Sequence, residues 1–354
     1  MTLERAMDRA IALSRRGYPA PNPRVGCVIV RDGEIVGEGF HPYAGAPHAE
    51  VFALREAGDK ARGATAVVTL EPCAHTGRTP PCAEALIEAG IKEVVVAVRD
   101  PNPRAAGGGA WLERHGISVT YGIRAQRAAS ANEVFLQAHA LGRPFVVAKA
   151  AMTLDGRIAL PDGRSRWITG DRARREAHRL RAELGCVLVG RGTVAADDPL
   201  LTARLRGVHH PPVRVVLDPR ARLNGTERIF GPEAPTLRFV GGSSTLEADR
   251  KAPLRAGELD LGQVLGDLWS EGITGVLVEG GGVTLARFLK AQLVDRLELF
   301  VAPKVLGAGP AWATGEPWPS LEASPSFDIR RVRRLGPDVQ ITAVPRRHKG
   351  ARGA

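Results

Sequence analysis

Apolar residues at Leu3, Ala6, Met7, Ala10 and Leu13 recur at three- and four-residue spacing, which predicts a helix over residues 2–16 with one buried face. The run Pro19-Ala20-Pro21-Asn22-Pro23 then breaks the chain. Residues 24–30 and 35–40 read as strands joined through Asp32-Gly33, a hairpin signal. Residues 48–57 return to helical spacing through Val51 and Leu54 and stop at Gly58. Two apolar runs, 65–70 and 93–98, read as buried strands, with a helix over 82–89 between them that ends at Gly90. Ala106-Gly107-Gly108-Gly109 reads as a flexible loop with weak phosphate character, ahead of a short helix at Trp111 and Leu112. A strand over 117–121 and a helical segment from about 125 to 141 follow. Strands alternating with helices predict an α/β sheet covered on both faces.

Gly142-Arg143-Pro144 is the expected domain boundary, and beyond it the alternation restarts. Strands are predicted at 145–151, 186–190, 213–218, 275–279, 297–301 and 339–344, and helices at 171–184, 261–271 and 284–291, with 253–257 a loop. The period returns but the motifs do not, so this half is a second domain and not a repeat. At Glu279-Gly280-Gly281-Gly282 a buried strand runs through glycines into a helix. Bare amides at a helix start suit phosphate, although the pattern departs from G-x-G-x-x-G and disfavours a standard Rossmann domain. On its own, this glycine run is more often a tight turn.

A chain of 354 residues with 44% hydrophobic and 25% charged residues accommodates two globular domains. No apolar run approaches bilayer length, and the N-terminal helix lacks the apolar core of a signal peptide, so a cytoplasmic protein is expected. The net charge of +11 is spread along the chain, with aromatics at only 5%, which argues against a nucleic-acid surface. Residues 346–354 read as a basic solvated tail. Of the four cysteines, Cys27 and Cys186 sit in apolar runs and read as core thiols, which leaves Cys73 and Cys82 as the chemical pair.

His48-Ala49-Glu50 and Pro72-Cys73…Cys82 bring one imidazole, two thiols and a nearby carboxylate into play. His48, Cys73 and Cys82 offer the three ligands that a catalytic zinc takes while keeping a fourth position for water. The predicted layout places His48 and Cys82 at helix starts, which favour thiolates. Glu50 would manage the water's protons, and H-x-E with P-C…C is the signature of zinc nucleobase deaminases. Taken singly, a His at a helix start is usually a cap, and two cysteines nine positions apart are usually core. A structural zinc wants four ligands, and His75 stands too close to Cys73 to be an assured fourth.

The long Cys73–Cys82 segment, with Pro21-Asn22-Pro23-Arg24-Val25-Gly26-Cys27, Gly45-Ala46-Pro47-His48 and Asp100-Pro101-Asn102-Pro103, resembles the bifunctional riboflavin-biosynthesis deaminase–reductases. The second half resembles their reductase domain through Lys149–Arg157, Trp167-Ile168-Thr169-Gly170, Leu180-Arg181-Ala182 and the stretch from Gly192 to Thr202. The resemblance covers about residues 1–345. It implies a cytidine-deaminase-like three-layer α/β domain over 1–143, and a dihydrofolate-reductase-like domain over 144–345 that uses NADPH. It further implies zinc on His48, Cys73 and Cys82, with Glu50 as proton shuttle. Asn22, His41, Arg78, Asp100 and Asn102 would surround the deaminase substrate. Cofactor contacts are implied at Ala151, Trp167, Thr193, Asp197, Gly281, Gly282, Val283, Thr284, Leu285, Ala286 and Arg287. Substrate contacts in the reductase are implied at Ser165, Arg181, Leu201, Arg204 and Glu279, with Lys149 or Glu279 assisting a proton. Relatives usually have Lys where Arg78 stands and Ser where Thr153 stands.

The implied substrates are phosphorylated pyrimidines, with no nucleic-acid or membrane partner and a homo-oligomer left open. The rival readings are a nucleic-acid base deaminase with an accessory domain, a zinc-stabilised binding module, and an enzyme with one inactive half.

Overall fold

A computed structural model describes residues 1–75, 81–242 and 249–346. Arg78 and the basic tail beyond residue 346 lie outside the described residues. Close contacts divide the chain into a first unit, Met1–Gly142 with Arg206–His210, and a second unit holding the rest. Among the described residues no helix is long and apolar enough to cross a membrane.

The first unit opens on helix α1 (Leu3–Ser14), capped by the Thr2 hydroxyl, which accepts from the Arg5 amide at 3.4 Å. Strands β1 (Gly26–Arg31) and β2 (Glu34–Phe40) form the hairpin, and Asp32 and Gly33 both take the positive φ that an Asp-Gly turn supplies. Helix α2 (Ala49–Ala57), strand β3 (Thr65–Val68), helix α3 (Cys82–Glu88) and strand β4 (Glu93–Val96) follow. Helix α4 (Gly108–Arg114), strand β5 (Ser118–Tyr121), and helices α5 (Ala125–Ala131) and α6 (Glu133–Leu141) complete the unit. The expected single helix over 125–141 is thus two. Asn132 separates them, and its side-chain oxygen accepts the Arg24 amide at 3.0 Å instead of facing solvent.

The sheet order is β2-β1-β3-β4-β5, antiparallel across β1 and parallel from β3 onward. Its side chains alternate between two buried layers. Cys27, Ile29, Val68 and Val96 pack under α2, α3 and α4, whereas Val28, Val67 and Val95 pack under α1 and α5. Helix α2 lies directly on β2: a Cβ at Gly37 would stand 2.2 Å from the Ala53 carbonyl oxygen, and one at Gly39 would stand 2.1 Å from that of Ala49.

The second unit holds a nine-stranded sheet. Strand β6 (Phe145–Thr153), helix α7 (Asp171–Leu184), strand β7 (Cys186–Gly190), helix α8 (Arg191–Asp197) and strand β8 (Val213–Leu217) come first. Strand β9 (Thr236–Val240) and the short strands β10 (Arg250–Lys251), β11 (Leu254–Arg255) and β12 (Glu258–Leu259) follow. Helix α9 (Leu261–Ser270), strand β13 (Gly275–Val278), helix α10 (Gly282–Lys290), and strands β14 (Arg296–Ala302), β15 (Phe327–Leu335) and β16 (Asp338–Pro345) close the chain.

The order β10-β9-β8-β7-β13-β6-β14-β16-β15 is parallel through β14 and antiparallel across β16. The segment 253–257 is not an open loop, because β11 and β12 pair as a tight hairpin through Ala256 and Gly257 at positive φ. Helix α10 begins two residues earlier than its spacing predicts, at Gly282. Strands β9 and β15 and helix α8 lack the apolar period that would announce them. Strand β15 carries Arg330, Arg331, Arg333 and Arg334, and in β9 the buried Arg238 pairs with Asp249 at 2.5 Å.

Because α2 carries the His48–Glu50 end of the presumed metal motif, the contact at Gly39 is testable. Gly39→Ala is expected to lower stability by about 1–3 kcal/mol through overpacking, seen as a reduced Tm. Zinc bound per chain should fall with it.

Candidate active sites

Two cavities gather the chemistry, one in each unit. In the first, His48 takes the N-cap position of α2 without using its side chain as a cap, and Cys82 opens α3. The His48 Nδ1 lies 3.1 Å from the Cys82 Sγ and 3.6 Å from the Cys73 Sγ, and the Cys82 amide points at the Cys73 Sγ at 3.4 Å. The three ligand atoms fall within 4.8 Å of one another. A tetrahedral zinc with bonds of about 2.05 Å to nitrogen and 2.3 Å to sulfur separates N and S ligands by about 3.6 Å. The donor set therefore fits zinc in both chemistry and spacing.

Hydrogen bonding from Cys82 and His48 draws Cys73 down to about 4, while the hydrogen bond to Cys73 and burial push Cys82 up. The hydrogen bond to Cys73 raises His48. A dication at this point favours both sulfurs as thiolates. Glu50 is 3% exposed, its carboxyl is raised by burial, and Oε2 has no hydrogen-bond partner among the described residues. An unpartnered buried carboxylate oxygen beside a metal triad is the group that a proton shuttle requires.

The cavity above this triad, about 420 Å³, is lined by Asn22, His41, Asp100 and Asn102 together with His48, Glu50 and Cys73. Cys82 lies behind the wall, at 1% exposure. Burial and the nearby His48 lower His41 to about 4, so it is neutral. Its Nδ1 faces the Pro47 carbonyl at 3.1 Å, which assigns the proton to Nδ1 and leaves Nε2 to accept from the Asn22 amide at 3.1 Å. That leaves the Asn22 carbonyl oxygen as its free polar group. Burial pushes Asp100 up to about 6, with Glu71 adding to the effect, against the pull of the Asn102 amide hydrogen bond. Glu71, His75 and Phe135 also line this cavity. Of these, Glu71 carried the clearest sequence signal, since it adjoins Pro72-Cys73 inside the motif.

The second cavity, about 550 Å³, lies at the C-terminal ends of β6 and β13. Its wall includes Ala151, Trp167, Thr193, Asp197, Gly281 and Leu285 from the expected cofactor set. Gly282, Val283, Thr284, Ala286 and Arg287 do not line it. Gly282 backs onto the Ala311 carbonyl, Val283 is 62% exposed, and Arg287 is held by Glu258 at 2.8 Å and the Leu259 carbonyl at 2.9 Å. The Gly281 amide is itself occupied by the Thr193 hydroxyl at 3.0 Å. Trp167 is 64% exposed, with Arg174 over its ring at 4.6 Å and Lys304 on its carbonyl at 2.8 Å. A broad exposed indole, a glycine-lined helix start and a volume of this size fit a dinucleotide such as NADPH.

Ser165, Arg181, Leu201, Arg204 and Glu279, the expected substrate set, share this cavity with Lys149. Arg181 grips Glu279 through Nε at 2.6 Å and Nη2 at 3.0 Å, and the Lys149 Nζ stands 3.4 Å from Oε2. Burial alone would raise Glu279, but Arg181 and Lys149 overcome it and hold the carboxyl at about 2. The Arg204 guanidinium is positioned by the Thr202 hydroxyl at 3.0 Å and His178 Nε2 at 3.1 Å. Burial, with Arg181 and Arg204 alongside, lowers His178, which keeps it an acceptor. His178, Arg166 and Arg174 line the cavity without having been singled out, because basic residues of an arginine-rich helix (His178, Arg174) or of the turn before it (Arg166) read as surface.

The described zinc-binding region of cytidine and deoxycytidylate deaminases matches residues 1–98, and the RibD C-terminal domain matches residues 144–341. The riboflavin biosynthesis protein RibD of Escherichia coli (strain K12) is 41% identical, covering 96% of this chain and 98% of its own. That of Bacillus amyloliquefaciens is also 41% identical, covering 96% and 95%. Among solved structures, Acinetobacter baumannii RibD, form 1, superposes with a TM-score of 0.89 at 41% identity over 98% of this chain and 99% of that one. A Thermotoga maritima diaminohydroxyphosphoribosylaminopyrimidine deaminase/5-amino-6-(5-phosphoribosylamino)uracil reductase gives 0.85 at 38% identity, over 97% and 98%.

Replacing Glu279 with Gln leaves Arg181 and Lys149 without their counter-charge and is expected to cost about 3–5 kcal/mol. A carboxyl whose folded pKa is depressed stabilises the fold above its unfolded value and loses that effect on acidification. The wild-type advantage over Glu279→Gln should therefore be complete above pH 4.5 and vanish as pH falls through about 2, followed by denaturant titration at each pH.

Proposed function

The chain belongs to the RibD family, the bifunctional deaminase–reductases of riboflavin biosynthesis, and on that premise we propose which of its residues perform each reaction. It is a zinc-dependent deaminase and an NADPH-dependent reductase acting on small-molecule pyrimidines. The substrate of the first half is 2,5-diamino-6-ribosylamino-4(3H)-pyrimidinone 5′-phosphate, whose exocyclic C2 amine is hydrolysed. The second half reduces the ribosyl side chain of that product to ribityl. The expected compartment is the cytoplasm.

His48, Cys73 and Cys82 would hold the zinc, which when bound would supply an acidified water as the nucleophile. Glu50 Oε2 would take one proton of the attacking water and deliver it to the ring nitrogen, then take the remaining hydroxyl proton and deliver it to the amine as the C–N bond breaks and ammonia leaves. The unpartnered Oε2 is the observation that carries this assignment. Asn22, oriented by neutral His41, presents its carbonyl oxygen to the pyrimidine amines, and Asp100 and Asn102 contact the opposite edge. Arg78 would meet the phosphate or a ring carbonyl; guanidinium keeps the charge of lysine but recognises oxygen pairs in a plane.

In the reductase, NADPH supplies the hydride, delivered to C1′ of the opened ribosyl group or its Schiff base. Trp167, Asp197 and the Gly281 turn would seat the cofactor, and Ser165, Leu201, Arg181 and Arg204 would seat the phosphorylated sugar. Glu279 is ionised and engaged by two cations, so it holds Lys149 and Arg181 in place and does not donate a proton. Lys149 is the member of the trio that can donate one, to the developing charge at the sugar oxygen or nitrogen.

Purified protein incubated with the diaminopyrimidine phosphate should yield the deaminated ribosyl product without NADPH and the ribityl product with it, resolved by mass. No mass change in either tube, with zinc bound, would sink the assignment. Glu50→Gln should keep its zinc yet lose deamination by about 10²–10⁴-fold, while still reducing the deaminated intermediate. Unimpaired reductase turnover in Lys149→Ala would remove Lys149 from the mechanism.

A further inference from the structure

Behind the deaminase substrate loop, Glu71 meets the glycines at the start of α4. A Cβ at Gly108 would stand 1.8 Å from the Pro72 carbonyl oxygen, and one at Gly109 would stand 1.7 Å from the Tyr121 hydroxyl. Gly108 meets backbone and admits no side chain, and at Gly109 the Tyr121 hydroxyl would have to move off its place. With both bare, the first turn of α4 closes onto Glu71, which is 6% exposed. Its Oε1 accepts the Gly109 amide at 3.1 Å and the Tyr121 hydroxyl at 3.2 Å, and its Oε2 accepts the Asp100 amide at 3.2 Å. The anion at this helix start is thus a side chain of the protein itself.

The Asp100 end of the arrangement leads straight to the cavity. The Asp100 Oδ1 accepts the Asn102 amide at 2.8 Å, and the Asn102 carbonyl accepts the amides of Ala105 and Ala106, each at 2.9 Å. The Glu71 amide in turn donates to the Val98 carbonyl at 2.9 Å. The loop from Val98 to Ala106 is therefore pinned at its base by Glu71 backbone and side chain together, and two of its polar side chains, Asp100 and Asn102, line the cavity.

We propose that Glu71 is a positioning residue of the deaminase, which sets substrate affinity by holding the Asp100 amide and through it the orientation of Asp100 and Asn102. The proposal rests on the reading that Asp100 and Asn102 contact the pyrimidine. Glu71 also lines the cavity, but both of its carboxylate oxygens are committed to the loop and α4, and the α4 glycines serve close approach, not phosphate binding.

Glu71→Gln keeps the volume but replaces one carboxylate oxygen with an amide NH2, so one of the two backbone amides faces a donor. In the full-length zinc enzyme, Glu71→Gln should raise the deaminase KM about tenfold with kcat nearly unchanged. Zinc content and reductase turnover on the deaminated intermediate should be unaltered. Tyr121→Phe, which spares both backbone bonds, should leave KM within about twofold. Asn102→Ala provides the independent check on the underlying reading and should also raise KM. An unchanged KM in Glu71→Gln, alongside a raised one in Asn102→Ala, overturns the role of Glu71. Loss of zinc, or an equal defect in Tyr121→Phe, also overturns it, since Glu71 is then only part of a buried network. An unchanged KM in Asn102→Ala overturns the substrate assignment and the proposal with it.

Discussion

The deaminase half depends on a backbone-to-backbone contact, helix α2 resting on strand β2 at Gly37 and Gly39. A methyl group at either position would have to occupy space already held by a carbonyl oxygen. That clearance fixes the depth of α2, and α2 fixes where His48 and Glu50 stand. The other side of the metal triad is set by α3, whose first residue is Cys82, and by the Cys82 amide on the Cys73 sulfur. Sheet and helix packing thus bring the soft donors to separations that a tetrahedral ion accepts.

Much of this was legible in the chain. Period-2 and period-3.6 patterns located α1, the Asp32-Gly33 hairpin and the buried strands β3, β4, β7 and β13, because each buries apolar side chains on a regular face. The triad and Glu50 were legible for a different reason: metal chemistry restricts residue type and spacing at once. What escaped was stabilised by means that leave no period. Strand β15 is an arginine-rich sheet edge, and β9 buries Arg238 against Asp249, Asp218 and the Leu223 carbonyl. The break between α5 and α6 depends on the bond from Asn132 to Arg24, 108 residues away in sequence. No local pattern encodes such a partner.

The two glycine runs illustrate the limit for sites. Both precede short helices, and both invite a phosphate reading. In the first unit the helix start is satisfied by Glu71, and the glycines make room for it. In the second the Gly281 amide is taken by Thr193, while Gly280 and Gly281 still form part of a cavity wall. Identical sequence signals therefore serve different ends, and the deciding residue lies elsewhere in the chain each time. The same holds for Arg287, whose guanidinium is committed to the β11–β12 hairpin and not to the cavity.

The trio of Lys149, Glu279 and Arg181 has an arithmetic of its own. Two cations surround one carboxylate, with all three side chains largely withdrawn from water. Within the trio itself, positive charge exceeds negative by one. Withdrawing such an excess from water costs stability, and an anion brought alongside reduces that cost. A phosphate-bearing ligand would therefore add to the stability of this half as it binds, so that affinity and conformational stability draw on the same charge imbalance.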